Sequence, residues 1–373
     1  MGSPKHWLTG IALVALLLAF PVATYFFGSV FYLAFATRIL ILASAVVSLN
    51  LILGYGGLLS LCHATFVGLG AYIVGIGSFH ASNDGIAWMA NGFVQLGAIL
   101  ILCSVVAAII GVISLRTRGI HFLMITMALG QIVYLAAVGA DLYGGDQGLT
   151  IDQPSVFVGA EFRGRYVMYT AAAAFFCLSV LVVDRLACSR FGLVLRATKM
   201  NEARVSALGY DPVHIRLVAF IIAGAMAGLA GFLLANNAGY VSPVDLGWTR
   251  SAEMIIMLVL GGLGLSLGPL FGAAFFLIAE EVASNMTQNS PIIVGAMILF
   301  VALFMPRGLG GLSPNARRLI VGSTILLVAL SMWRGPDGLL PSARLLIVGA
   351  MILLLAFFRG FLGGLLLSAR RHD

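Results

Sequence analysis

The chain has 373 residues, of which 61% are hydrophobic and only 9% are charged. Because soluble domains carry about 25% charged residues, this composition excludes a soluble globular protein and predicts a chain that crosses a membrane several times. The net charge of +7 comes without a basic and aromatic patch or a nucleic-acid-binding motif. We therefore interpret it as lysine and arginine on the cytoplasmic side of a membrane, with no nucleic acid as partner.

Several segments approach the length of about 20 mostly apolar residues that a membrane-spanning helix needs. In chain order they are 8–27, 31–53, 58–79, 93–115, 120–140, 166–184, 215–237, 251–264, 266–282 and 291–305. The eighth is short and ends in a glycine-rich stretch, which predicts a re-entrant or broken helix. Two further apolar runs follow, at 319–333 and 345–358. We predict an all-α transmembrane helical bundle of about ten spans with two extra C-terminal hydrophobic segments.

The distribution of lysine and arginine predicts which ends of these spans face the cytoplasm. The first apolar run lacks a small-residue cleavage site, so we expect an uncleaved first span with a cytoplasmic N-terminus. In that orientation three basic residues lie in the outer loops before residue 319: Arg163, Arg165 and Arg250. Twelve lie in the inner segments: Lys5, Arg116, Arg118, Arg185, Arg190, Arg196, Lys199, Arg204, Arg216, Arg307, Arg317 and Arg318. This excess supports the orientation and places the charged stretch 185–216 in the cytoplasm.

The C-terminal part of the sequence contains a tandem repeat. Similar segments begin at Val294, Val321 and Val348, at intervals of 27 residues. A triplication of the last span and its exit loop explains this pattern. We therefore predict a transmembrane domain over 1–312 and a hydrophobic extension over 313–373.

The sequence lacks two motifs of nucleotide and metal chemistry. There is no GxxxxGK[ST] and no HExxH, so the chain has no P-loop for ATP and no zinc-protease motif. The four cysteines form no CxxC pair, and we expect them to be small packing residues with no metal bound. The sequence predicts that the chain is not an enzyme and holds no cofactor of its own.

The charged stretch 185–216 contains signals for a short helix. Asn201 can cap a helix over 202–208, and Gly209 is typical of the residue that ends one. Asp211 and the proline after it predict the start of the next membrane helix. Positive charge alone is explained by a solvated cytoplasmic loop. A short helix with apolar positions and two defined ends is better explained by docking into a groove of another protein.

Glycine clusters interrupt several of the predicted spans. For Gly224, Gly228 and Gly231 the spacing predicts close helix packing. For 54–57 and 261–264 the same packing is compatible with unwound helices that free backbone groups for a polar substrate. His63 is buried in an apolar run, where a hydrogen bond to a serine or a carbonyl is favoured over contact with a ligand. Ionisable residues within spans must face protein or water; the main ones are Arg38, Glu253, Glu280 and Glu281. The candidate substrate pathway consists of Asn50, Gly54, Gly56, Gly57, His63, Glu253, Gly261 and Gly262.

Seven fragments over about 30–312 resemble the LivM-type permease subunits of branched-chain amino acid ABC transporters. They are "LNLILGYGGLLSLCHATFVGLGAY", "LRTRGIHFLMITMALGQI", "GGDQGL", "NEARVSALGYDPVHIRLVAFIIAGAMAGLAG", "YVSP", "GGLGLSLGP" and "MPRGLGGL". Each fragment is weak alone, but the seven occur in the order that the family has. Cys62 stands where the family has glycine, and the centre of the fourth fragment, 204–206, differs from the usual alanine- and glutamate-rich sequence.

The resemblance implies a permease subunit of an ABC importer in the inner membrane of a prokaryote. The implied solute is a branched-chain amino acid or a related small polar molecule such as urea or an amide. The implied partners are a homologous LivH-type permease, two cytoplasmic ATPase subunits that bind the ATP, and an extracytoplasmic solute-binding protein, all in a lipid membrane. The residues that the resemblance assigns to coupling with the ATPase are Asn201, Glu202, Ala203, Arg204, Ala207, Leu208 and Gly209.

An ion-coupled secondary transporter of small solutes is the alternative function. Such a transporter needs ionisable groups within the membrane to bind its coupling ion. The sequence has scattered candidates but no intramembrane cluster of aspartate, glutamate and histidine. The ATP-driven permease is therefore the favoured interpretation.

Overall fold

A computed structural model describes residues 30–157, 160–161, 164–286 and 295 of the chain. The predicted first span, most of the predicted last span and most of the tail repeats lie outside these residues. Residues 30–277 belong to one compact unit, and residues 278–286 belong to a second.

The described residues are mostly helical, as the sequence predicts. The α-helices are α1 (Val30–Asn50), α2 (His63–Asn83), α3 (Gly92–Ser114), α4 (Ile120–Val138), α5 (Arg165–Cys188), α6 (Arg190–Met200), α7 (Glu202–Ala207), α8 (Pro212–Ala238), α9 (Trp248–Gly261) and α10 (Gly268–Met286). A π-helical turn, Leu51–Tyr55, extends α1. Short 3-10 turns occur at Ala87–Ala90, Asp141–Tyr143, Gly145–Gln147 and Pro243–Leu246.

Among the described residues, six helices are long and apolar enough to cross a membrane. They are α1 with its π-helical turn, α2, α3, α4, α5 and α8. Each corresponds to one of the spans predicted from sequence, although the total of about ten is not confirmed. Helix α9 has 14 residues, which is too short to cross a bilayer alone.

Helix α8 is the centre of the packing, because α2, α3 and α1 all lie against it, while α5 packs on α1. The glycines of α8 make this close approach possible. A Cβ atom on Gly231 would lie 1.9 Å from the carbonyl oxygen of Val67 on α2, and one on Gly228 would lie 2.5 Å from Cys103 Sγ on α3. The packing role that the sequence predicts for these glycines is confirmed.

Two pairs of very short strands lie in the loops. Strand β1 (Leu149–Thr150) pairs antiparallel with β4 (Tyr240–Val241), and β2 (Val156–Phe157) pairs with β3 (Ala160–Glu161). The β1–β4 pair joins two loops that the charge distribution assigns to the outer side. At the other end, Lys199 contacts Gly54, and Glu202 contacts both Arg118 and Arg216. These contacts join segments that the charge distribution assigns to the cytoplasm. The two groups of loops therefore meet at opposite ends of the bundle, as the predicted orientation requires.

Candidate functional site

The segment between α6 and α8, which the charge distribution assigns to the cytoplasm and which we call the cytoplasmic segment, has the local structure that the sequence predicts. The side chain of Asn201 accepts a hydrogen bond from the backbone N–H of Arg204 at 3.0 Å and so caps α7. Gly209 follows α7 with φ +86°, a conformation that glycine adopts without steric cost. Asp211 caps α8 by accepting from the N–H of Val213 at 3.0 Å, with proline in the first turn. The Asn201 cap thus fixes the start of α7 and Gly209 marks its end, while the Asp211 cap fixes the start of α8.

Glu202 attaches α7 to the rest of the protein. Its carboxylate forms an ion pair with Arg216 of α8 and a second with Arg118, 2.8 Å away in the loop between α3 and α4. The Arg216 side chain is only 12% exposed and also donates to the carbonyl of Thr198 on α6 at 3.3 Å. Because Arg216 is largely removed from water, Glu202 is the partner that balances its charge. One carboxylate thus connects α7 with α8 and with the α3–α4 loop.

One side of α7 is buried and the other is exposed. Val205 is 2% exposed and packs inward, whereas Leu208 is 72% exposed and Met200, just before α7, is 87% exposed. Apart from Glu202, which is half-buried, the residues proposed for coupling are exposed: Asn201, Ala203, Arg204, Ala207, Leu208 and Gly209. The segment therefore offers an apolar surface, with charge beside it, on the side that the charge distribution assigns to the cytoplasm.

Asn50 and Gly54, which the sequence places in the substrate pathway, lie at a junction at the end of the bundle that the charge distribution assigns to the cytoplasm. The Asn50 side chain is fully buried; its Oδ1 accepts from the N–H of Gly264 at 2.9 Å, and its Nδ2 donates to the carbonyl of Leu265 at 3.0 Å. The carbonyl of Gly54 accepts from Lys199 Nζ of α6 at 2.9 Å. The end of α1 is thereby bonded to the α9–α10 loop and to the cytoplasmic helix α6.

The remaining glycines of the predicted pathway lie in or beside this junction. A Cβ atom on Gly56 would lie 2.6 Å from the carbonyl oxygen of Ile52, and one on Gly261 would lie 2.0 Å from the carbonyl oxygen of Gly268. Gly57 and Gly262 have positive φ values of +71° and +100°. These positions require glycine for local geometry, and their role in a pathway stays a prediction.

His63, at the start of α2, is fully buried and makes the serine contact that the sequence favours. Its Nε2 lies 2.7 Å from Ser48 Oγ of α1, and its ring meets Phe66 edge to face. Its Nδ1 has no hydrogen-bond partner within the described part of the chain. The residue joins α1 to α2, and its contact with a substrate stays a prediction.

Glu253, the last residue of the predicted pathway, lies at the opposite end of α9 from the junction. Its carboxylate accepts from Arg250 Nη1 at 2.7 Å, and Arg250 Nε lies 3.3 Å from Asp245 Oδ1. The eight pathway residues therefore do not form one site. Asn50 and the glycines lie near the end assigned to the cytoplasm, and Glu253 lies nearer the end assigned to the outside.

Two features of the described residues bear on disulfide and metal chemistry: the state of the cysteines and the grouping of possible metal ligands. All four cysteines are free, and two of them, Cys62 and Cys103, are buried in the packing. Among the described residues, no three histidine, cysteine, aspartate or glutamate side chains are close enough together to hold a metal ion.

Comparison with known proteins relates the chain to transport permeases. A family model described as the permease component of branched-chain amino acid transport systems matches residues 31–305. The high-affinity branched-chain amino acid transport system permease protein LivM of Salmonella typhimurium is 28% identical over 300 residues, which cover 74% of this chain and 68% of that protein. LivM of Escherichia coli is 28% identical over 331 residues, 82% of this chain and 75% of that protein.

A second group of relatives carries the name LivH. The high-affinity branched-chain amino acid transport system permease protein LivH of Salmonella typhimurium is 25% identical over 285 residues, 72% of this chain and 91% of that protein. No solved structure matches the chain.

Proposed function

The chain belongs to the family of permease components of branched-chain amino acid transport systems, and from this premise we propose that it forms half of the membrane pathway of an ATP-driven importer. The other half is a LivH-type permease. Two cytoplasmic ATPases supply the energy, and an extracytoplasmic binding protein delivers the solute. The complex sits in the inner membrane of a prokaryote. The solute is a branched-chain amino acid or a chemically related small molecule.

The observation that carries this proposal is the attachment of α7. A helix of six residues cannot cross a membrane, and its capped ends and exposed Leu208 suit a groove on another protein. The ion pair between Glu202 and Arg216 fixes this helix to α8, so a displacement of α7 is passed to the helix at the centre of the bundle. We assign residues 201–209 to contact with the ATPase.

ATP acts on the permease by shifting its population between two states. When the ATPases close on ATP, they favour the permease conformation whose α7 segments fit the closed ATPase pair. The solute-loaded binding protein favours the same conformation from outside, so each ligand raises the affinity for the other. The bonds at Gly54 and Asn50 connect the moving cytoplasmic segment with α1 and with the α9–α10 loop.

Reconstitution tests the proposal. The full chain is purified with its LivH-type partner and the two ATPases and placed in liposomes that enclose Mg-ATP. Uptake of radiolabelled leucine, isoleucine, valine, urea and acetamide is then measured with and without the binding protein. Uptake that needs both ATP and the binding protein supports the proposal. Uphill uptake by this chain alone, driven by a proton or sodium gradient, would overturn it in favour of the ion-coupled alternative.

A further inference from the structure

One exposed face of α5 runs along the whole helix and ends in an arginine and a cysteine. The exposed residues of this face follow one another at intervals of three or four, so they lie on one side of the helix. In chain order they are Val167, Thr170, Ala174, Leu178, Leu181, Arg185 and Cys188. The Thr170 hydroxyl donates to the carbonyl of Val167 in the same helix at 2.9 Å. This face, which we call the α5 face, therefore suits lipid up to Arg185, where the helix reaches the side assigned to the cytoplasm.

A second exposed arginine follows α5 directly, because α6 folds back against the end of α5. Only Ser189 separates the two helices, and it caps α6 by accepting from the N–H of Gly192 at 3.3 Å. A Cβ atom on Gly192 would lie 2.3 Å from the carbonyl oxygen of Leu186, so the two helices meet in close contact. Arg190 begins α6 and is exposed. It lies five residues after Arg185, across the connection between the two helices.

Residues 184–196, which we call the α5–α6 corner, carry an excess of positive charge. They contain Arg185, Arg190 and Arg196 and a single acid, Asp184. The Arg196 guanidinium donates to a carbonyl in the last turn of α5 at 2.6 Å, and the Asp184 carboxylate accepts from a serine hydroxyl of the α9–α10 loop. Neither Arg185 nor Arg190 forms an ion pair within the described part of the chain. Two guanidinium groups at the corner can therefore bind an external anion.

The other acids on the side assigned to the cytoplasm do not balance these two arginines. Among the described residues they are Glu202, which pairs with Arg118 and Arg216, and Asp211, whose carboxylate caps α8. The cytoplasmic leaflet of a cell membrane is negatively charged and attracts basic residues beside a membrane helix. A guanidinium binds a phosphate group through two parallel hydrogen bonds. The charge of the corner thus complements the lipid surface at which the α5 face ends.

Helix α4 has a different exposed face, and the difference separates lipid from a second permease as the neighbour of α5. Gln131 of α4 has a buried Oε1 with no hydrogen-bond partner in the part of the chain that the structure describes. A buried polar atom without a partner is costly within a membrane, so α4 is the helix that needs a protein neighbour. Before Arg185, the only polar side chain of the α5 face is Thr170, which is bonded within its own helix. The α5 face needs no such neighbour.

We propose that the α5–α6 corner binds the phosphate group of an anionic phospholipid of the cytoplasmic leaflet. Arg185 and Arg190 contact the phosphate, and the acyl chains lie along the α5 face. A free phosphate ion would use the same guanidinium groups, but only a lipid also covers Leu181 and Leu178, which are exposed about one and two turns before Arg185. The corner leads through α6 into the cytoplasmic segment, so a bound lipid holds this end of that segment at the membrane surface. This inference concerns the membrane and does not depend on the solute.

The test uses the assembled complex in nanodiscs, with a fluorophore on Cys188, which is exposed on the α5 face beside the corner. The labelled parent carries Cys177→Ser, because the two remaining cysteines are buried. Quenching by phosphatidylglycerol with a nitroxide on its acyl chain is compared with quenching by phosphatidylcholine that carries the same label. We expect phosphatidylglycerol to associate at least about fivefold more tightly, the factor that one arginine beside an anionic surface contributes.

The variant Arg185→Gln/Arg190→Gln should lose this preference, so that the two lipids quench equally. The matched variant Arg185→Lys/Arg190→Lys keeps both charges and should retain most of the preference, and an excess of inorganic phosphate should leave it unchanged. Assembly of each complex is confirmed before labelling. Equal quenching in the labelled parent, a preference that survives in the glutamine variant, or its loss on addition of phosphate would each overturn the proposal. Quenching by neither lipid would show that protein covers the α5 face, and would overturn it as well.

Discussion

The ammonium of Lys199, on the cytoplasmic helix α6, donates a hydrogen bond of 2.9 Å to the backbone carbonyl of Gly54, in the π-helical turn that ends α1. A side chain outside the membrane bundle thus holds the backbone of a core helix. Such π-helical turns are rare, and they occur frequently at functional positions. This bond and the Glu202 ion pairs are two separate connections between the cytoplasmic segment and the bundle.

Replacing Lys199 with methionine should weaken the link between α6 and α1. Methionine keeps an apolar stem of similar length but has no donor for the Gly54 carbonyl. A hydrogen bond from a charged group contributes about 1.5–3 kcal/mol, so we expect the number of leucine molecules taken up per ATP hydrolysed to fall severalfold. The ratio is measured in liposomes. The control is Arg190→Met, which removes an exposed cation from the start of the same helix, and a drop of equal size in this control would refute a specific role for Lys199.

Replacing Glu202 with glutamine should separate ATP hydrolysis from transport while leaving membrane insertion intact. Glutamine removes the negative charge, and Arg216 then remains mostly buried without its ionic partner, at a cost of about 1–3 kcal/mol. Steady ATP hydrolysis with uptake reduced about tenfold is the expected result. Asp152→Asn, a neutralised exposed acid in the outer loop, is the control. Loss of the protein from the membrane would indicate that Glu202 serves the fold and not coupling.

Replacing Gly231 with alanine should destabilise the bundle. The added Cβ atom would lie 1.9 Å from the carbonyl oxygen of Val67, a distance that the packed helices α2 and α8 can relieve only by moving apart. We expect the free energy of unfolding to fall by about 1–3 kcal/mol, measured by denaturant titration of the solubilised protein. Gly97→Ala is the matched control. Gly97 lies in α3 with open space around it, so alanine should be neutral or stabilising by up to about 1 kcal/mol. Equal stability of the two variants would contradict the close packing of α2 and α8.

Asn50 offers a test of the junction between α1 and the α9–α10 loop. Asn50→Asp keeps an acceptor for the N–H of Gly264 but removes the donor to the carbonyl of Leu265, and Asn50→Leu removes both. Each lost hydrogen bond should cost about 1 kcal/mol, with a further penalty for the charge of a buried aspartate. We therefore expect both variants to unfold at lower temperature than the unmodified protein. Unchanged unfolding temperatures for both would show that the junction does not stabilise the bundle.

The sequence predicts the helices and the ends of the cytoplasmic segment well, because these depend on neighbouring residues. The caps at Asn201 and Asp211 and the stop at Gly209 are local signals that need only a few residues to recognise. The spans in the described residues follow from the length of each apolar run. Local sequence patterns do not predict the contact between Asn50 and Gly264, because residues that are 214 positions apart meet only through the packing of the helices.

A cavity lined by Arg38, Asp245 and Arg250 lies between α1, α2, α8 and α9, and the sequence does not predict it. Arg38 stands out as an arginine within a span, but nothing near it in the sequence indicates its neighbours. Asp245 and Arg250 occur in an outer loop and at a helix start, where charges are common and need no explanation. Only the packing of α1 against α9 places these three side chains around one space. The sequence predicts Glu253 as a pathway residue, but the structure explains this side chain by its ion pair with Arg250.

A photo-crosslinking amino acid at position 208 gives the most direct test of the contact between α7 and an ATPase. Leu208 is 72% exposed on the cytoplasmic segment, and Leu142, 67% exposed in the loop assigned to the outside, is the matched control position. The assembled complex is irradiated with and without ATP, and the crosslinked partner is identified by mass spectrometry. We expect position 208 to crosslink to the ATPase subunit and position 142 not to do so. An assembled and transporting complex in which position 208 yields no ATPase crosslink would contradict it.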